Sequence, residues 1–408
     1  MTESRKSSHR RKRRNKQFII GSLLILLFVF IVIIGNYVYK TINNKHEISK
    51  NTEVKHDDEN GKENNKSDEN SNVNPIKTPE KTEIKKQETK PPVVPITETT
   101  IKFSAAGDFT LGTDESFPYQ GSFPEEVKKN GFPYFVAKLG NIFKQDDFTT
   151  VNLETTFTNA TKKAVKKFRF KGDPSYANIL KIGGIEAVNV ANNHSHDYLQ
   201  KGFDDTLNTL KRANIGYFGY KDSYITSIKG TKIGALGYEG WSNSAELQRT
   251  IDRDIQKLRR AGVKVIIVNF HWGIERDYVP NDTQKSLAHY TIDKGADLVV
   301  GHHPHVVQGI EEYKGKFIVY SLGNFMFGGN KNPSDKDTYV FQQTFHLKNG
   351  VLTNQKEIKV VPFSISSVQY RNNYQPLKLS GAEERRVKQK IIGVSKQIKG
   401  STWTRYEK

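Results

Sequence analysis

The chain has 408 residues, no cysteine and a formal net charge of +19. Without cysteine there can be no disulfide, no thiolate nucleophile and no Cys-ligated zinc. So basic a chain points to an anionic partner, either nucleic acid or an envelope polymer, or to a basic surface that is merely solvated. The charge is not confined to one end. Eight basic residues against Glu3 give +7 over residues 1–39, and residues 41–408 keep +11 once Lys40 is set aside.

Residues 1–17 form a basic tail, and residues 18–39 run without a charge from Phe18 to Tyr39. About 20 apolar residues cross a bilayer as a helix, and the basic flank stays cytoplasmic by the positive-inside rule. Gly35-Asn36-Tyr37-Val38-Tyr39-Lys40 offers no Ala-x-Ala cleavage site, so the segment reads as an uncleaved anchor rather than a signal peptide. The expected location is therefore the cell membrane, with a single pass and the C-terminal body outside. Residues 40–99 are rich in Asn, Lys, Glu, Asp and Ser and end in a Pro-containing stretch. They lack the apolar content to offset ordering entropy and are expected to be a disordered extracellular linker. A coil of this length spans about 40–45 Å.

From Ile101 the pattern becomes strands alternating with helices, which predicts a layered α/β domain over residues 100–365. Strands are expected at Ile101–Ala106, Phe148–Leu153, Ile185–Val190, Gly216–Phe218, Tyr224–Ile228, Lys232–Leu236 and Val263–Phe270. Helical stretches are expected at Glu125–Phe143, reset near Gly131-Phe132-Pro133, then at Tyr176–Ile182, Phe203–Arg212 and Ala245–Ala261. Asn281 and Gln284 form a capping pair for a further helix that runs to Asp293. Ala296–Val300 reads as a buried strand, Phe317–Leu322 pairs with an arm across Lys314-Gly315-Lys316, and a closing hairpin turns at Asn349-Gly350. Residues 366–408 are polar and basic, with one helix expected from Ala382 to Lys399, and are set apart as a C-terminal extension.

Five loops share one arrangement, an apolar strand followed by a metal-ligating type of residue. They present Asp108, Glu154, Asn193-His194, His271, and His303 with His305. Five strand ends of one sheet can converge on a point. Carboxylates, an amide and imidazoles together suit one or two divalent ions such as Mn, Zn, Fe or Mg. Each residue also has a structural alternative. Asp108 can close a turn, Glu154 can pair with Arg169 or Lys171, Asn192 and Asn193 can cap a helix, and His194 can be a buried hydrogen-bonded histidine. His196 and Asp197 read as turn or supporting residues, Trp272 as packing and His289 as structural.

The order of these motifs resembles the CapA family of poly-γ-glutamate capsule synthesis proteins, whose domains are related to calcineurin-like metallophosphoesterases. The segments that carry the resemblance are Ala106–Gly112, Val151–Thr155, Ala191–Tyr198, Phe270–Gly273, Gly301–His305 and Tyr320–Phe325. The resemblance implies a β-sandwich flanked by helices, with Asp108 on a first metal and Glu154 bridging two. It places Asn193, His271 and one of the last histidines on the second metal, with His194 as general acid. His303 and His305 have the His-x-His spacing of the closing phosphoesterase motif, which leaves His302 as an extra. Three positions depart from the phosphoesterase pattern: Thr110 stands where a histidine is usual, Glu154 where an aspartate is, and Ser195 where an acid is. The resemblance also implies work on poly-γ-glutamate or another anionic envelope polymer, beside membrane-embedded synthesis subunits. A metal-dependent phosphoesterase or hydrolase of the envelope is the second function it allows. No nucleic-acid motif accompanies the dispersed basic residues, so no nucleic-acid partner is expected.

Overall fold

The computed structural model describes residues 96–398 and 401–408. The basic tail, the 18–39 anchor and nearly all of the 40–99 linker lie outside the described residues. No helix among the described residues is long and apolar enough to cross a membrane. The first strand begins at Glu98, so the last residues assigned to the linker already belong to the folded body.

Two mixed sheets carry the architecture. In the nine-stranded sheet, the central strand Glu98–Thr110 lies between Asp337–Lys348, which is antiparallel to it, and Phe148–Leu153, which is parallel. Ala187–Asn189 and Gly216–Phe218 continue the parallel side. In the six-stranded sheet, Thr231–Gly240, Val265–Trp272, Leu298–His302 and Lys316–Val319 are mutually parallel neighbours. The expectation that one sheet supplies all five strand ends is corrected here, because two sheets supply them.

The side chains explain why the sheets stack. Successive strand residues point to opposite faces. Val265, Ile267, Leu298 and Val300 therefore join Ile101, Phe103 and Ala105 in a core between the sheets. The alternate residues Ile266, Val268 and Val299 face Ile251, Ile255 and Leu287 of the helices Ala245–Arg260 and Asp282–Asp293. On the far side of the larger sheet, Phe109, Val151 and Val188 pack on Ile179, Leu180, Phe203 and Leu210. The order is helix, sheet, sheet, helix. Strands buried on both faces read as continuous apolar runs, as Val265–Phe270 does.

Local signals set the element ends. Asn281 and Gln284 make the reciprocal capping box at the start of Asp282–Asp293. Gly131, with φ +69°, closes the helix Phe123–Asn130 where the sequence predicts a reset. The hairpin turns at Asn349 and Gly350, both with positive φ. Residues 366–408 do not stand apart. The helix Gly381–Ser395 buries Val387 and Ile391 in the inter-sheet core, and Trp403 joins them there. Their stripe is short and sits among charges, so composition hides it.

Candidate metal centre

Parallel strands place their C-terminal ends on one edge of a sheet, and here two such edges meet. Asp108 lies near the end of the first strand and pairs in register with Asn152, while His271 pairs in register with His302 across the other sheet. Gly107 makes the close approach possible, since a Cβ there would lie 1.9 Å from the Gly323 carbonyl oxygen. Asp108 N–H in fact donates to that oxygen at 3.0 Å. Gly301 is needed in the same way, between the Tyr320 carbonyl and the Trp272 indole. His303 (φ +97°) and His305 (φ +57°) hold left-handed backbone conformations that ordinary residues avoid. Such strain persists where the surroundings fix it and concentrates at working sites.

All six proposed ligands come together. Ligand atoms of Glu154, His271 and His303 lie within 4.8 Å of one another, and those of Asp108, Glu154 and His305 do likewise. Glu154 is common to both groups. Asn193 Oδ1 sits 2.9 Å from His271 Nε2, beside the first group. His305 Nδ1 is 3.2 Å from Asp108 Oδ2 and its Nε2 is 3.7 Å from Glu154 Oε1. His194 Nε2 is 3.9 Å from the same Glu154 oxygen.

Glu154 is fully buried, and neither carboxylate oxygen has a hydrogen-bond partner. His303 Nδ1 is also buried without one. An isolated buried carboxylate is strongly unfavourable unless it is paired or coordinates a metal. The donor set of carboxylates, imidazoles and an amide, with no thiol, fits hard to borderline divalent ions. The Arg169 and Lys171 alternatives for Glu154 do not apply. The Arg169 guanidinium donates to the Lys166 carbonyl and its backbone N–H to Asp114, and Lys171 bonds Glu115.

The electrostatics show the same need. Burial raises the Glu154 carboxyl well above its ordinary range. Burial also opposes charge on His305, but the Glu154 and Asp108 carboxylates outweigh it and push the imidazole up to about 10. The cluster therefore holds a proton that a divalent cation would replace. Burial, helped by the neighbouring His305, holds His303 down at about 3, and burial alone holds His302 down at about 4 against the pull of Asp108. Both imidazoles are neutral at ordinary pH, the form that can ligate.

Around these residues lies a layer that sequence reading largely missed. Asn152 Nδ2 donates to Asp108 Oδ1 at 2.9 Å and lies 3.2 Å from His271 Nδ1. Asn324 Oδ1 is 2.8 Å from His305 Nδ1, and Asn269 Oδ1 is 3.1 Å from His302 Nε2. The available signal was an asparagine inside an otherwise apolar buried strand. His302, the extra histidine, therefore reaches Asn269 on one side and lies 3.7 Å from Asp108 on the other. Asn192 caps no helix; its amide bonds Asn152 Oδ1 and the Leu153 carbonyl. His194 Nδ1 donates to Asp197 Oδ2 at 2.6 Å, and Lys166 Nζ reaches Asp197 Oδ1 at 2.7 Å and the Asn193 carbonyl at 2.6 Å. Asp197 is thus the supporting residue the sequence suggests, and nothing in the pattern pointed to Lys166. Trp272 and His289 are structural as read: the indole donates to the Tyr320 carbonyl, and His289 meets Glu311.

The family model described as bacterial capsule synthesis protein PGA_cap matches residues 102–329. The chain belongs to this family. The match runs from within the first strand to Gly329, so it spans every residue of the two groups above. The chain is 30% identical over 268 residues to the capsule biosynthesis protein CapA of Bacillus anthracis, covering 59% of this chain and 64% of that one. It is 32% identical over 251 residues to the PGA biosynthesis protein CapA of Bacillus subtilis (strain 168), covering 56% of this chain and 65% of that one. A probable polyglutamine synthesis accessory protein of Mycobacterium tuberculosis is 26% identical over 44% of this chain and 55% of its own length. The matched part thus spans just under two thirds of the two CapA proteins.

Proposed function

We propose that this protein is a membrane-anchored, outward-facing factor for the synthesis, export or anchoring of poly-γ-glutamate or a similar anionic envelope polymer. In this reading it works through a divalent-metal centre in a metallophosphoesterase-like fold, beside membrane-embedded synthesis subunits. The names of the relatives and the +11 carried by residues 41–408 support the polymer. The observation that carries the metal is Glu154, buried between two sets of donors with both oxygens unpartnered.

Asp108, Glu154 and His305 would hold one ion. Glu154, Asn193, His271 and His303 would hold a second. When bound, such ions supply Lewis acidity toward a substrate oxygen and lower the pKa of water. The protein's own groups do the rest. Asn152 orients Asp108 and His271 together. Asp197 fixes the tautomer of His194 by accepting from Nδ1, which turns Nε2 toward Glu154. Lys166 holds the Asp197 carboxylate in place.

His194 favours a second, narrower reading, hydrolysis of a phosphoester or related bond. With Nδ1–H held by Asp197, the proton that Nε2 gives a leaving oxygen is the second proton of an imidazolium, which burial disfavours and Asp197 favours, and such a positioned acid is worth about 10²–10⁴ in rate. Capsule production in a deletion strain that carries full-length variants tests both readings. His303→Ala should abolish capsule and His194→Ala should reduce it. Normal capsule with His303→Ala rejects the metal-centred account. Loss with His303→Ala but normal capsule with His194→Ala keeps the centre and rejects hydrolysis.

A further inference from the structure

A cavity of about 410 Å³ opens directly beside the centre, with His194 and His305 among its lining residues. That volume falls in the range of small-molecule sites, about 300–1,000 Å³. Four phenylalanines line it. Phe170 stacks on the His194 ring at 4.2 Å, and Phe327 lies 4.8 Å from His305. Phe117 and Phe168 meet edge to face at 5.9 Å, and Phe168 stays 40% exposed.

The charges around this cavity cancel. Glu275 and Asp335 oppose Arg276 and Lys331. Asp335 is tied to Lys390 and Tyr278, and Lys331 donates to the Pro118 and Gln120 carbonyls. A polyanionic chain gains nothing from such a balanced wall, whereas an apolar group gains the desolvation of the phenylalanine faces.

Position adds the second half. A proton donor must lie within hydrogen-bond reach of the oxygen that leaves. Whatever is attached to that oxygen then extends past His194, away from Glu154 and into this cavity. We propose that the cavity is the leaving-group subsite and that the group it takes is a bulky apolar alcohol, aromatic or branched hydrocarbon, esterified to phosphate. The proposal rests on the hydrolytic reading of His194. Water adds to phosphorus, the P–O bond to the alcohol breaks, and the alcohol oxygen takes a proton from the His194 side, so the products are phosphate and the free apolar alcohol.

The test uses full-length protein in lipid nanodiscs, supplied with Mn²⁺, with metal content measured on each sample. Two non-hydrolysable ligands, 1-naphthylmethylphosphonate and methylphosphonate, are titrated calorimetrically. The naphthyl compound should bind at least about tenfold more tightly. Phe168→Ala, and the double variant Phe117→Ala with Phe168→Ala, should remove most of that preference while leaving methylphosphonate affinity unchanged. Using the single exposed substitution as well guards against misfolding of the double one. Equal affinities in the unaltered protein, no binding of either ligand, or a preference that both variants retain would each overturn the assignment. Metal uptake with equal affinities leaves the metal reading standing and removes the subsite. A naphthyl preference sensitive to Phe168 in protein that takes up no metal keeps an apolar pocket but overturns both the metal reading and the assignment as a leaving-group subsite.

Discussion

Glu154 is a fully buried carboxylate and Glu312 a half-buried one, and the protein treats them in opposite ways. Glu312 accepts from Lys356, Thr402, Arg405 and Tyr406. Burial would raise its carboxyl, but these donors outweigh burial and hold it at about 2. Glu154 has no donor at either oxygen and is raised. Both are glutamates near strand ends, yet Glu312 is saturated and Glu154 starved. A saturated carboxylate fastens a fold, here the C-terminal segment onto the strand Ile310–Tyr313. A starved one persists only where something from outside completes it.

The largest expected effect breaks the comparison on the Glu154 side. Glu154→Gln or His303→Ala should lower metal affinity by more than about 100-fold, beyond the 10–100-fold typical of supporting residues. Asn152→Ala, which removes only the supporting amide, should stay within that 10–100-fold range. Isothermal titration with Mn²⁺ and Zn²⁺ separates these classes, and equal losses in all three would erase the distinction.

Stability should then move differently for the two glutamates. Glu312→Gln should cost about 1–3 kcal/mol, the range for hydrogen bonds to a charged group. Glu154→Gln in metal-free protein should be neutral or stabilising by up to about 1 kcal/mol, since it replaces a buried carboxyl whose oxygens accept no hydrogen bond. Denaturant unfolding in chelator measures both. A Glu154→Gln loss as large as that of Glu312→Gln would mean the protein already satisfies Glu154.

The pH windows are also opposite. The Glu312 carboxyl is depressed, so its contribution is present above about 4.5 and is lost as pH falls through about 2. His305 is raised, so its contribution in metal-free protein is full below about 6.5 and is lost as pH rises through about 10. Thermal melts of unaltered protein and His305→Asn should converge at alkaline pH and diverge near neutrality. A constant difference across that window would contradict the shared proton.

The smallest effect concerns the far wall of the cavity. Lys390 bridges Asp335 at 2.7 Å and Asp337 at 2.9 Å from the C-terminal helix. Lys390→Met should cost about 1 kcal/mol, since Asp337 keeps Arg386 and Asp335 keeps Tyr278 as donors, and should leave metal affinity unchanged. Altered metal affinity would join the C-terminal helix to the centre itself.

Much of this was readable in the chain, for definite reasons. Asp108, Glu154, His271 and the His-x-His pair each follow an apolar run, and strand ends are where a sheet presents side chains. The capping box at Asn281 and the turn at Asn349-Gly350 are local and were read locally. What stayed hidden depends on partners distant in sequence. Ile101–Ala106 and Val265–Phe270 look alike as apolar runs, so nothing in them assigned one to each of two sheets. Lys166 comes from a loop without periodicity and matters only because Asp197 is beside it. The apolar stripe of Val387 and Ile391 is too brief to stand out among lysines and arginines.

The central claim is that Glu154 is completed by a cation. Metal analysis of the full-length protein, purified without chelator and compared with His303→Ala, tests it most directly. The account predicts one or two divalent ions per chain in the unaltered protein and a clear loss in the variant, with both folded by circular dichroism. A folded, unaltered protein that carries no metal and takes up neither Mn²⁺ nor Zn²⁺ when supplied would contradict it.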